Sequence, residues 1–154
     1  MAQEVECVIL IGLPGAGKTT LYRERFAATH LQVSKDLWPN ATGRDARQRK
    51  VIEESLAVGS SIVIDNTNST RAERAALIEI ARRYNAQVIG YWFDVSTRAA
   101  VARNAARSGR AKVSNVAIFT VAKRLETPAP AEGFDRLFRV EIADDRSLRI
   151  GPIS

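Results

Sequence analysis

Apolar residues gather in five short runs, separated by polar or amphipathic stretches. "VECVILIG" (5–12) is almost continuously apolar and ends in glycine, the signature of a strand buried on both faces. A helix is expected from Lys18 to about Ala28, followed by a short second strand, "LQVS" (31–34). Residues 44–58 turn from polar to apolar and predict a helix stopped by Gly59. "SIVID" (61–65) is a third buried strand. Thr70 and Glu73 have capping-box spacing, and Leu77, Ile80, Ala81 and Tyr84 then line one helical face. "AQVIGYWFD" (86–94) is a fourth strand. Ser96 can cap a helix to about Arg107, Gly109 breaks it, and Ser114 can cap another to Leu125. "LFRVEI" (137–142) closes the set as a fifth strand. Strands alternating with helices predict an α/β fold, a mostly parallel sheet of about five strands covered by helices on both faces.

The chain has 154 residues, is 45% hydrophobic and 26% charged, and shows no repeats. These values suit one globular domain over 1–154 with a core of its own. The single Cys7 lies in a strand, so no disulfide framework is expected and a reducing cytoplasm is favoured. No apolar run approaches a membrane span, and "MAQEVE" lacks a signal-peptide pattern, so no membrane partner is expected.

Net charge is +6, and its location changes the picture. Between Asp94 and Glu126 stand seven basic residues, Arg98, Arg103, Arg107, Arg110, Lys112, Lys123 and Arg124, with no acidic one. Such a field suits a polyanion, either nucleotide phosphates or nucleic acid; a solvated basic helix face is the other reading.

The strongest chemical signal is "GLPGAGKT", Gly12 to Thr19, which matches G-x-x-x-x-G-K-[ST] between an expected strand and an expected helix. The glycines let backbone N–H groups converge on phosphate oxygens at a helix N-terminus, and Gly12, Pro14, Gly15, Ala16, Gly17 and Thr20 are expected to bind phosphate with Lys18 and Thr19. Lys18 would reach the β- and γ-phosphates of ATP, and the Thr19 hydroxyl would ligate Mg²⁺. Asp65 closes an apolar strand and is the second acid near that metal, or a cap for the following segment.

A phosphate loop serves switches, motors and kinases. The N-K-x-D guanine motif is absent, as is the Gly-aromatic-Pro-Arg turn of adenylate-kinase-like enzymes. Phosphoryl transfer needs one carboxylate to orient the attacking hydroxyl and cations to neutralise the moving charge. Asp36, after the second strand, can be that carboxylate, or a turn residue. Arg103, Arg107 and Arg110 fall at i, i+4 and i+7, as a lid over about 97–115 would place them, or a solvated helix face. Trp38 beside Asp36 could stack on an acceptor base, worth about 1–3 kcal/mol. Tyr91 and Phe93 belong to the core, His30 ends a helix, and Phe134 and Leu137 are set near the adenine by position.

From Val8 to Ile142 the chain resembles polynucleotide 5′-hydroxyl kinases and their close P-loop kinase relatives. The resemblance rests on "GLPGAGKTT", "SKD" after strand two, "VIDNTN" (63–68), "YWFDVS" (91–96), "ARNAARSGR" (102–110) and "ETPAPAEGFDRLFRV" (126–140). It implies that Lys18 and Thr19 serve ATP and Mg²⁺ and that Asp36 is general base toward the 5′-OH end of RNA or DNA. It implies further that Arg107 is the lid arginine on the donor phosphates and Arg103 a second lid contact or packing residue. Asp65 would support the metal, and Thr67 would lie near the acceptor strand. One position departs. Several family members place an arginine three residues after the base, gripping the phosphate 3′ to the acceptor; here that position is Pro39, with Lys35 and Arg44 nearby. A small hydroxyl acceptor (nucleoside, sugar or antibiotic) needs no such clamp, and a nucleotide-dependent binding module needs no acceptor. No phosphatase or ligase segment accompanies these motifs, so action alone or with separate partners is expected.

Overall fold

The computed structural model describes residues 4–107, 109 and 112–154. Strands β1 (Glu6–Ile11), β2 (Leu31–Val33), β3 (Ile62–Asp65), β4 (Gln87–Phe93), β5 (Arg136–Ile142) and β6 (Leu148–Pro152) form one sheet in the order β2-β3-β1-β4-β5-β6. The first five pair in parallel, and β6 runs antiparallel to β5. The helices are α1 (Lys18–Leu21), α2 (Arg44–Ala57), α3 (Arg71–Arg83), α4 (Thr97–Ala105) and α5 (Asn115–Arg124).

The apolar run of β1 explains the layering. Successive side chains of a strand point to opposite faces. Cys7, Ile9 and Ile11 enter a core built with Ile52 and Leu56 of α2 and Leu77, Ile78, Ile80 and Ala81 of α3. Val8 and Leu10 enter the opposite core, with Leu21, Ala100 of α4 and Ile118 and Val121 of α5. A strand buried on both faces cannot alternate with polar residues, hence the continuous run. Burial also pushes the Cys7 thiol up to about 12, which keeps it protonated and unreactive.

The expected caps form. Thr70 Oγ1 accepts from Glu73 N, Ser96 Oγ from Ala99 N and Ser114 Oγ from Ala117 N. Four expectations are corrected. The helix expected from Lys18 to about Ala28 is α-helical only to Leu21 and widens into a π turn over Tyr22–Phe26. There Tyr22 and Phe26 pack on the core, and the Tyr22 hydroxyl donates to the His30 carbonyl at 2.7 Å. The fifth strand is not the last: β6 adds an edge, where Pro152 is tolerated because an edge strand can lose a donor. Helix α4 ends at Ala105 rather than Arg107, and Asn104 closes the segment beyond it by bonding Val113 through both N–H and C=O. Phe134 and Leu137 do not approach a nucleotide site; both are buried on the α2–α3 side and crowd Gly90, where a Cβ would meet each at 2.7 Å. Among the described residues no helix is long and apolar enough to cross a membrane.

Candidate functional site

In an open parallel sheet the carboxyl ends of the strands share one edge, and ligands gather there. A cavity of about 1790 Å³ opens at that edge, lined by the loops after β1, β2, β3 and β4. Its described lining carries eight cations, Lys18, Arg23, Lys35, Arg44, Arg103, Arg107, Arg124 and Arg146, against five carboxylates, Asp36, Asp45, Asp65, Glu73 and Asp94. An excess of positive charge in a concave site suits an anionic ligand.

The loop after β1 is held closely. Gly15 and Gly17 have φ of 82° and 101°, a region that costs any residue with a Cβ. At Gly15 there is also no room: a Cβ would lie 2.8 Å from the Ala100 carbonyl oxygen of α4. Lys18 folds back, its Nζ donating to the carbonyls of Gly12 at 3.0 Å and Leu13 at 2.7 Å. Burial lowers its ammonium from the usual 10.5 to about 8, with Asp65 pulling the other way and Arg107 adding to the drop. The Arg103 Nε donates to the Gly15 carbonyl at 2.9 Å, which ties α4 to the loop, and Arg103 also lines the cavity. Burial, with Arg107 and Arg146 close by, draws Arg103 below the ordinary range of a guanidinium.

Thr19 Oγ1 donates to Asp65 Oδ2 at 2.9 Å, and Gln32 Nε2 donates to the same oxygen at 3.0 Å. Thr19 and Asp65, far apart in sequence, thus form one oxygen pair beside the phosphate loop. That pair fits Mg²⁺, which takes one or two protein oxygens and keeps several waters. The segment after Asp65 braces the site. Gly12 N donates to the Thr67 carbonyl at 3.0 Å, and Asn68 Nδ2 reaches the Leu10 carbonyl at 2.7 Å.

The loop after β2 is different in kind. Ser34 Oγ accepts from Asp36 N at 3.2 Å and caps a single 3-10 turn, Lys35–Leu37. Asp36 is exposed and lines the cavity with Pro39, Asn40 and Arg44. Lys35 N donates to Asn66 Oδ1 at 3.0 Å, which ties this turn to the segment after β3. Lys35 Nζ lies 2.5 Å from Asp45, while the Arg44 guanidinium makes one long bond, 3.4 Å, to the Lys35 carbonyl.

Of the residues expected at the site, Pro14, Gly15, Lys18, Thr19, Thr20, Asp36, Asp65, Thr67, Arg103 and Arg107 line the cavity together. Gly12, Ala16 and Gly17 are buried outside the described lining, and the Gly12 N–H expected at phosphate is instead taken by the Thr67 carbonyl. Trp38 stands apart from the described lining: its ring is faced by the Arg47 guanidinium, 4.5 Å from the ring centre. Arg110 lies outside the described residues. Several contributors had no signal that pattern alone could expose. Gln32 sits in a strand three residues long, and Asn68 adopts φ 45° to reach β1. Arg124 donates to Ser69 Oγ at 3.1 Å, and Arg146 arrives from the β5–β6 turn.

Comparison with known proteins agrees with this architecture. The bifunctional polynucleotide phosphatase/kinase of Schizosaccharomyces pombe is 26% identical over 143 residues, which cover 90% of this chain and 34% of that protein. The chain therefore spans about a third of that relative. Among solved structures, Chaetomium thermophilum Kti12 in complex with ADP-AlF3 superposes with a TM-score of 0.72 at 19% identity, covering 91% of this chain and 92% of that one. A gluconokinase from Sinorhizobium meliloti superposes at 0.65 and 18% identity, covering 93% and 86%. These structural likenesses mark the fold as P-loop kinase-like. The AAA domain model (AAA_33) matches residues 7–128, most of the chain, and the protein belongs to that family of P-loop kinase domains.

Proposed function

We propose that this chain is an ATP- and Mg²⁺-dependent kinase that transfers the γ-phosphate to a hydroxyl, with the 5′-OH end of RNA or DNA as favoured acceptor. The observation that carries the proposal is one cleft holding Lys18, the Thr19–Asp65 pair, the arginines of α4 and its following loop, and an exposed carboxylate, Asp36. The whole of 1–154 would then act as one catalytic domain in the cytoplasm, with 97–115 as its lid.

In this reading the loop N–H groups and Lys18 hold the β- and γ-phosphates of ATP. Thr19 and Asp65 would hold Mg²⁺, which would neutralise phosphate charge. Asp36 accepts a hydrogen bond from the acceptor hydroxyl and aligns its oxygen in line with the bond to be broken. As that oxygen bonds to phosphorus, the bridging oxygen leaves with ADP and the hydroxyl proton passes to Asp36. Arg107 and Arg103 meet the charge spreading over the transferred group. Arg44 lines the cavity beside Asp36, with one long bond to the Lys35 carbonyl among the described residues, and would take the contact that Pro39 cannot. The polynucleotide phosphatase/kinase relative supports a nucleic acid acceptor.

Pro39 favours a second reading, a kinase of small hydroxyl compounds, since such an acceptor has no phosphate to grip. The test is transfer from γ-labelled ATP with Mg²⁺ to matched 5′-OH RNA and DNA oligonucleotides, with nucleosides and sugars as separate arms and Asp36→Ala as control. Label on an oligonucleotide with wild type alone supports the first reading. Label only on small compounds supports the second, and no label with ATP bound points to a binding module.

A further inference from the structure

Arg74 of α3 is a long cationic side chain with no solvent exposure, and it stands outside the cavity. A guanidinium has five N–H donors, and all five are used here. Nε donates to Glu132 Oε1 at 2.8 Å, and one Nη2 hydrogen goes to Glu132 Oε2 at 3.2 Å. The other Nη2 hydrogen goes to the Glu126 carbonyl at 3.0 Å. Nη1 donates twice, to the carbonyls of Asn68 at 2.9 Å and Ser69 at 3.1 Å. Glu126 N returns a bond to the Ser69 carbonyl at 2.8 Å, and Glu132 Oε2 also accepts from Ala129 N at 2.8 Å.

The segment so gripped is the one that braces the phosphate loop. Asn68 holds a left-handed φ of 45°, a region asparagine visits more readily than most residues with a side chain, and its amide bonds to the Leu10 and Ile64 carbonyls help keep it there. In that conformation its amide bonds the Leu10 carbonyl, and its neighbour Thr67 accepts from Gly12 N. A fully satisfied buried network specifies one arrangement strongly, because any alternative strands a charge without partners.

We propose that Arg74 is a positioning residue for the phosphate site, acting through the Asn68 and Ser69 carbonyls, with the 126–132 segment as its anchor. The proposal rests on the nucleotide-binding part of the function above and not on the acceptor. Arg74 never meets the ligand. It keeps Thr67 and Asn68 against β1, and through them the start of the loop and the Thr19–Asp65 pair.

The test uses Arg74→Lys and Glu132→Gln, each read by site-resolved amide hydrogen exchange and by ATP affinity with Mg²⁺ below the melting temperature. The expected result is exchange at Gly12 faster by tenfold or more, amides of β4 unchanged, and ATP affinity weakened several-fold. A purely structural role would raise exchange across Gly12 and β4 alike, and that outcome, or no change at Gly12, overturns the proposal. Should both variants fail to fold, native-state exchange of the wild type decides. Gly12 and Glu126 amides should then open with the same free energy, and separate openings refute the coupling. If wild type binds no ATP, the proposed function fails, while the exchange result still judges Arg74.

Discussion

The two sides of the cleft are built to different standards of rigidity. On the phosphate side, Lys18, Asp65 and Asn68 are each less than a tenth exposed and each hydrogen-bonded across elements. On the facing side, Asp36 is exposed, Leu37 beside it is 53% exposed, and they sit on one 3-10 turn held by the Ser34 cap and the Lys35 N–Asn66 bond. A triphosphate is the same in every reaction a kinase performs, so its cradle can be preorganised. An acceptor varies, and a short turn can be remodelled without disturbing the sheet. In the proposed reaction the rigid side would hold the donor phosphates, while the short turn would present both the carboxylate Asp36 and the surface that meets the acceptor.

The largest expected effect would break that comparison cleanly. Asp36→Ala should lower kcat by about 10²–10⁴, the usual contribution of a positioned acid or base, and leave ATP affinity unchanged. Isothermal titration with ATP alongside single-turnover transfer measures both; a joint loss would mean the two sides are not independent. Arg107→Ala comes next. It lines the cavity near Lys18, whose ammonium it disfavours, so its removal should lower kcat by about 10²–10³ while ground-state affinity changes far less. An effect on affinity alone would make it a binding residue of the rigid side.

The same contrast decided what could be read from the chain. Gly12 to Thr19 was legible because the loop's own backbone does the work, and the spacing of glycines, lysine and threonine is local. Asp65 was legible from its place at a strand end. The helices capped by Thr70, Ser96 and Ser114 were legible for the same reason, each cap acting within three residues. Arg74, Gln32 and Arg146 were not, because their partners are long-range: Arg74 meets Glu132, 58 positions away. Edge strand β6 was missed because "SLRIGP" carries only two aliphatic residues before its glycine and a proline, and it forms only by pairing with β5. The Arg47 guanidinium over the Trp38 ring was not legible either, because Arg47 comes from a helix whose orientation the sequence does not give.

A milder effect sharpens the difference through pH. Burial holds the Lys18 ammonium at about 8 in the folded chain, against 10.5 ordinarily. Below about 8 it is charged in both folded and unfolded states, and its desolvation weighs on the fold in full. Between about 8 and 10.5 the folded chain binds fewer protons than the unfolded one, so this group's contribution to stability rises with pH. Phosphate affinity must run the other way, falling by at most about tenfold per pH unit above that value, the limit for one titrating group. Opposite slopes of melting temperature and ATP affinity across pH 8–10 are therefore expected of wild type. Lys18→Met should flatten both, since it removes the group that titrates.

The smallest effect tests how little holds the Asp36 turn. Ser34 is buried, and its hydroxyl oxygen is the side-chain acceptor of Asp36 N. Losing such a cap costs about 0.5–2 kcal/mol at a helix N-terminus. Asp36 is exposed, so water can replace the bond and the cost should lie at the lower end. About 0.7 kcal/mol is roughly a threefold change in the population of a competent turn, since 1.4 kcal/mol is tenfold. Ser34→Ala should thus reduce kcat two- to fivefold, with melting temperature nearly unchanged because the turn buries little apolar surface. Ser34→Thr keeps the oxygen and should restore the rate. A loss as large as that of Asp36→Ala would show that the turn has no other support, and the bond from Lys35 N to Asn66 would then contribute nothing to holding Asp36 in place.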